Sequence, residues 1–258
     1  MDIPENKSLI FSAWGKLLRA YIISFALSFA TGIVLVHVFA MAPQTLFELS
    51  TQRISYAMPF FDMGSHFGVD RSVLLFIWNS VGALMTISFI YSAALLNPHH
   101  ICSFPHGVRK ILCGKTRMKL LCLLPGCLKI KEESLRRLYI WLMVPFLGII
   151  LLGIESGLSV STTTFIFGSY STGIISILPH GIIEIPAITL AGAVTFSAHI
   201  LVKGKAQQTA SHSLFAQVET YRTQIPISKI ACIVICFLLL AGFIEAHVTS
   251  TIMDTLLN

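Results

Sequence analysis

Residues 138–157 read LYIWLMVPFLGIILLGIESG, with Arg136 and Arg137 directly before them. Crossing a hydrocarbon layer of about 30 Å takes about 20 apolar residues in helical form. This stretch has that length, and its one charge, Glu155, stands near its end. Four other stretches meet the same test: 17–42, 72–96, 174–202 and 230–248. The expected fold is all-α, a polytopic membrane helix bundle of about five transmembrane helices. It forms a single membrane domain over 1–258. Composition agrees. Of the 258 residues, 55% are hydrophobic and 12% charged, against about 45–50% and about 25% in soluble domains. Mean hydropathy is +0.79. These values exclude a disordered chain, a secreted disulfide scaffold and a soluble DNA binder. The net charge of +6 would ordinarily raise nucleic acid as a partner. Here the basic residues sit between the spans, where membrane topology accounts for them. No nucleic acid is expected, and the lipid bilayer is the first partner.

Basic loops stay in the cytoplasm. Lys7, Lys16 and Arg19 stand at the start of the first span. Arg109, Lys110, Lys115, Arg117, Lys119, Lys129, Lys131, Arg136 and Arg137 fall between spans two and three. Lys203, Lys205, Arg222 and Lys229 fall between spans four and five. Only Arg53 and Arg71 lie on the other side, offset by Glu48, Asp62 and Asp70. The N-terminus is therefore expected inside and the C-terminus outside, in the cytoplasmic (inner) cell membrane.

Three segments need a decision. Ala40-Met41-Ala42 resembles a signal-peptide cleavage site, but the apolar stretch before it exceeds the usual core of about 7–15 residues. An uncleaved helix is expected. The segment 158–176 has no charge and is rich in Ser, Thr and Gly, and it is expected to be an external loop dipping into the membrane. Within the basic cytoplasmic loop 97–137, His106–Leu124 mixes Lys and Arg with Ile and Leu. That mixture suits a helix lying on an anionic membrane surface.

Ionisable residues inside a membrane are functional candidates. Glu155, Glu184, Glu245 and His37 each lie 16–19 residues from a cytoplasmic basic residue on their own span. At 1.5 Å per residue that is roughly 24–29 Å, so four spans place a polar residue at one level. His180 precedes Glu184 by one turn and shares its face. Asn79, eight residues past Arg71, reaches the outer half of the membrane from the other end of the second span. Pro179, Gly181 and Pro186 are expected to break the helix there, as Pro186 cannot donate to Ile182. Broken helices carrying carboxylates build ion sites in many transporters. Glu184 and Glu245 are expected to face each other. Either one carboxyl then holds a proton or a cation bridges the pair.

The run Pro179-His180-Gly181-Ile182-Ile183-Glu184-Ile185-Pro186-Ala187 resembles the stage II sporulation protein M family. Its signature is Pro-His-Gly, then Glu, then Pro-Ala, leading into a helix with small residues. The run Ala241-Gly242-Phe243-Ile244-Glu245-Ala246-His247-Val248-Thr249 resembles the family's last helix, and Asn79 also suits it. The resemblance covers about 71–249. It implies an integral membrane protein with no enzymatic activity, acting as a scaffold that anchors or positions membrane or envelope proteins. The bacterial namesake works with a lytic transglycosylase and an amidase/endopeptidase partner. The alternative class is a channel or secondary transporter using the Glu/His layer.

Other signals are weaker. Cys102, Cys113, Cys122 and Cys127 share a loop with His99, His100 and His106, but lack paired zinc-ligand spacing. Reduced thiols are expected, with no metal site and no cofactor. Glu132-Glu133-Ser134-Leu135-Arg136-Arg137 matches an element of an intramembrane protease, but in a charged flank where i,i+4 ion pairs are expected. No Walker loop, Gly-x-Ser-x-Gly elbow or His-Glu-x-x-His is present. Small residues four apart, Gly153 and Gly157, Ala187 and Ala191, Ala193 and Ser197, permit close helix packing within one chain or in a homodimer.

Overall fold

The computed structural model describes residues 3–96, 127, 130, 132–205 and 211–257. The loop segment 106–124, with most of the Cys/His-rich stretch, lies outside the described residues. Every described element is helical: α1 Ile3–His37, α2 Pro43–Ser55, α3 Met58–His66, α4 Arg71–Ser92, α5 Glu133–Ile166, α6 Tyr170–Ile175, α7 Leu178–Lys205, α8 Ser211–Gln224, α9 Ile227–Phe243 and α10 Ser250–Leu257. A 3-10 turn, Ala93–Leu96, extends α4. A π-helical turn, Ile244–Thr249, joins α9 to α10.

Among the described residues, five segments are long and apolar enough to span a membrane: Ser8–His37, Arg71–Ser92, Glu133–Ile166, Leu178–Gly204 and Ile227–Leu256. They match the five expected stretches with shifted ends. Local chemistry sets several of those ends. Gly68 has φ +72° after α3 and Gly168 has φ +67° after α5, the left-handed conformation that glycine adopts without a Cβ penalty. The Ser72 backbone N–H donates to Asp70 Oδ1 at 2.7 Å, capping α4.

Two expectations fail. Segment 158–176 is not a dipping loop. Helix α5 continues to Ile166, and α6 follows after a short turn. The hydroxyls that suggest a loop are satisfied inside the helix. Ser161 donates to the Leu158 carbonyl at 2.8 Å, Thr163 to Ser159 at 2.8 Å and Thr164 to Val160 at 2.9 Å. Back-bonded in this way, Ser161, Thr162, Thr163 and Thr164 are all buried. Nor do the prolines break the fourth span. Helix α7 runs unbroken through Pro186. Pro179 sits in its first turn, where a missing N–H costs nothing. Gly181 N–H donates to the Ile177 carbonyl at 2.8 Å, so the chain is helical from the start. Surrounding protein sustains a proline inside a membrane helix. The departure from regular helix lies instead in the fifth span, at Ile244–Thr249.

The described residues pack as two compact units. The first draws on Met1–Gly15, Leu84–Leu147 and Ala191–Ala231. Its core includes Leu138, Tyr139, Leu142, Val194, Val202 and Leu214. His199 Nδ1 lies 3.1 Å from the Tyr139 carbonyl oxygen, and Thr195 donates to the Thr86 carbonyl at 3.0 Å. Arg137 pairs with Glu133, the i,i+4 ion pair expected of that flank. Cys127 is disulfide-bonded rather than reduced, whereas Cys232 and Cys236, which belong to the second unit, are free.

The second unit comprises Lys16–Ala83, Gly148–Leu190 and Cys232–Asn258. Here α1 and α5 touch backbone to backbone. A Cβ added at Gly157 would strike the Phe25 carbonyl oxygen and approach Phe29 N at 3.0 Å. One added at Gly153 would meet Ser24 and, at 2.8 Å, the Tyr21 carbonyl oxygen. Ser28 Oγ donates to the Ile154 carbonyl at 2.6 Å across the same seam. The glycine pair thus serves packing within one chain.

Candidate functional site

A cavity of about 730 Å³ lies within the second unit. Three spanning helices each turn one face to it. Helix α4 gives Arg71, Leu75, Trp78 and Asn79. Helix α5 gives Leu152, Glu155, Ser156, Ser159 and Val160. Helix α7 gives His180, Gly181, Glu184, Ile185 and Ile188, with Ile177 just before it. Each set follows the three-and-four spacing of a single helical stripe. Glu245 enters from the π-turn and Tyr21 from α1. Ser50 and Thr51 of α2, with Met58, Phe61, Asp62 and Ser65 of α3, and Ser176 before α7, complete the lining.

The polar side chains converge. Ligating atoms of His180, Glu184 and Glu245 all lie within 4.8 Å of one another. Asn79 Nδ2 donates to Glu184 Oε1 at 3.0 Å. His180 is nine-tenths buried, and its Nδ1 lies 3.3 Å from Thr249 Oγ1. With Nδ1 engaged, Nε2 is the nitrogen left for the carboxylates or for a ligand. Four carboxyl groups, of Asp62, Glu155, Glu184 and Glu245, line the cavity against one guanidinium, Arg71. The lining is acidic in a chain whose net charge is +6.

Asp70 precedes α4 beside this cavity. The Ser72 hydroxyl, and then the Ser72 backbone N–H, hold its carboxyl below the ordinary range; His247, 3.6 Å away, adds to the effect. His247 thus faces Asp70 and not the triad.

Of the residues predicted from sequence, His180, Glu184, Glu245, Asn79 and Glu155 line one cavity. His37 does not. It is exposed, and its ring meets Phe165 edge-on at 4.9 Å. Its direction around the helix turns it away from the cavity lining. Sequence reading missed Arg71, Asp62, Tyr21, Ser156, Ser159 and Thr249. Glu155 with Ser156 and Ser159 does form a polar stripe at helical spacing, which was the readable signal. Tyr21 of α1 and Ser156 of α5 meet in the cavity lining, a pairing no sequence pattern announces.

Fold and site together define a polytopic helical membrane protein with an acidic cavity among its spans. Residues 135–250 match the family model for Stage II sporulation protein M, which supports that family for this integral membrane protein. Both motifs, 179–187 and 241–249, fall inside the match, whereas Asn79 lies outside it. No curated protein and no solved structure matches the chain.

Proposed function

We propose that this protein acts without catalysis in the cytoplasmic membrane, and that its cavity binds a cation in the manner of a channel or secondary transporter. One observation carries this reading: four carboxyl groups against one guanidinium in the cavity of a basic chain. Carboxylates in a poorly hydrated setting are costly unless a cation or proton balances them. The convergence of His180, Glu184 and Glu245 supplies such a place. With 16 of the 18 Lys and Arg residues assigned to the cytoplasmic side, the cavity lies toward the external face.

A second reading is a scaffold that anchors or positions membrane or envelope proteins. The family match of 135–250 favours it, as do the apolar side chains that α2, α3 and the turns beside them expose. Phe47, Leu49, Tyr56, Met63 and Phe67 are among these. Exposed apolar groups of this kind suit a membrane interface or a protein partner.

Pure protein in liposomes, loaded with a cation indicator, tests the first reading. Cation flux that disappears in Glu184→Gln supports it. No flux of any cation, together with stable partners recovered from gently solubilised membranes, replaces it with the scaffold.

A further inference from the structure

We infer that His180, Glu184 and Glu245 form a binding site for a divalent transition-metal cation of the zinc class. The inference rests on the cation-binding reading of the cavity and names the cation. Helix α7 delivers His180 and Glu184, one turn apart, and the π-turn delivers Glu245; their ligating atoms lie within 4.8 Å of one another. Metal–ligand bonds of about 2.0–2.2 Å bring neighbouring ligand atoms to roughly 3–4 Å. Rotation of the two flexible Glu side chains closes that difference without moving the backbone.

The donor set chooses among cations. Sodium, magnesium and calcium take oxygen ligands. An imidazole nitrogen beside two carboxylates suits zinc and its first-row neighbours. Two carboxylates also balance a double positive charge, which removes the repulsion between Glu184 and Glu245.

Groups outside the triad support the assignment. Metal-bound imidazoles almost always engage their second nitrogen, and metal-bound carboxylates are hydrogen-bonded in turn. Thr249 meets His180 Nδ1 at 3.3 Å, and Asn79 donates to Glu184 Oε1 at 3.0 Å. Thr249 comes from the same π-turn that carries Glu245. Such turns inside α-helices are frequent at functional sites. Three protein ligands leave further coordination positions open to the cavity, the arrangement of sites whose metal meets another ligand.

Metal counting on the purified full chain tests the inference. Protein is incubated with zinc and desalted, and the bound zinc is measured. The wild type should hold one equivalent more than Glu184→Gln or Glu245→Gln. Zinc held by thiols elsewhere is common to all three and cancels in the difference. Titration should show His180→Gln weakening the site at least tenfold, while Glu219→Gln on α8, outside the cavity lining, leaves it in place. Zinc should also raise the wild-type melting temperature in detergent, a readout that needs no variant to fold.

Equal zinc in wild type and both Glu variants overturns the metal site, as does a wild-type melting temperature that zinc does not move. Cation flux with no zinc bound leaves the cavity reading standing and removes the metal. Zinc bound at one equivalent without any flux keeps the metal site and removes transport.

Discussion

Asn79 of the second span donates a hydrogen bond of 3.0 Å to Glu184 of the fourth, across 105 positions of sequence. It fixes one oxygen of a carboxyl group whose other neighbours are Glu245 and His180. A hydrogen bond to a carboxyl group in a half-buried site contributes about 1–2 kcal/mol. Asn79→Ala should lower stability by about that amount, measured by thermal unfolding in detergent. Asn79→Asp should destabilise further, since it sets a third carboxyl group against Glu184. An Asn79→Asp protein as stable as the wild type would show that the bond is not formed.

Glu184→Gln and Glu184→Ala should separate folding from function. Gln keeps the volume and a hydrogen-bonding group while removing a charge that Glu245 repels. It should cost little stability and abolish function, whether that is conduction or the positioning of partners. Ala leaves Asn79 without its acceptor and the site unfilled, and should be worse for folding. Full function in both Glu184→Gln and Glu245→Gln would remove the site from the mechanism.

The seam between α1 and α5 makes a sharper packing prediction. Gly157→Ala drives a Cβ into the Phe25 carbonyl, where backbone must move. Overpacking of this kind costs about 1–3 kcal/mol. Gly148→Ala, on the same helix but with nothing within 4 Å of the added Cβ, should be neutral or stabilising by up to about 1 kcal/mol through helix propensity. Melting temperatures of the two variants measured side by side decide it. Equal effects would mean that the helices do not meet at Gly157.

Orientation is open to labelling in a cysteine-free background. Tyr170→Cys, at an exposed position in α6, should react with an impermeant reagent from outside. Thr223→Cys, exposed on α8, should react only after the membrane is opened. The reverse pattern would invert the topology and place the acidic cavity toward the cytoplasm.

The pair Glu219–Arg222 on α8 gives a pH dependence. Its hydrogen bond to Arg222 holds the Glu219 carboxyl below the ordinary range. A depressed carboxyl pKa contributes stability above the unfolded-state value, and that contribution is lost as pH falls through the folded-state value. The side chain is 47% exposed, so the contribution is small and salt should screen it further. Glu219→Gln should flatten the acid limb of the unfolding curve slightly, and more visibly at low salt. An unchanged acid limb at low salt would leave the pair without weight.

Sequence by itself determined that five helices cross a membrane, because each needs only enough consecutive apolar residues to match the hydrocarbon thickness. It also placed Glu155, Glu184 and Glu245 at one level, because rise per residue is fixed along a helix. Direction around a helix is another matter. His37 faces away from the cavity, as rotation about the helix axis is set by which neighbours pack against it. The Ser/Thr run 161–164 reads as loop, because its hydroxyls are satisfied by back-bonding to carbonyls in the preceding turn of the same buried helix. Pro186 reads as a break, because sequence does not show the packed neighbours that hold α7 straight through it. The sequence suggested that Glu184 and Glu245 meet with His180 beside them, but the meeting itself is made by tertiary structure. Glu245 and His180 stand 65 positions apart in sequence, and only packing of α7 against the π-turn brings an imidazole and two carboxyl groups to within 4.8 Å.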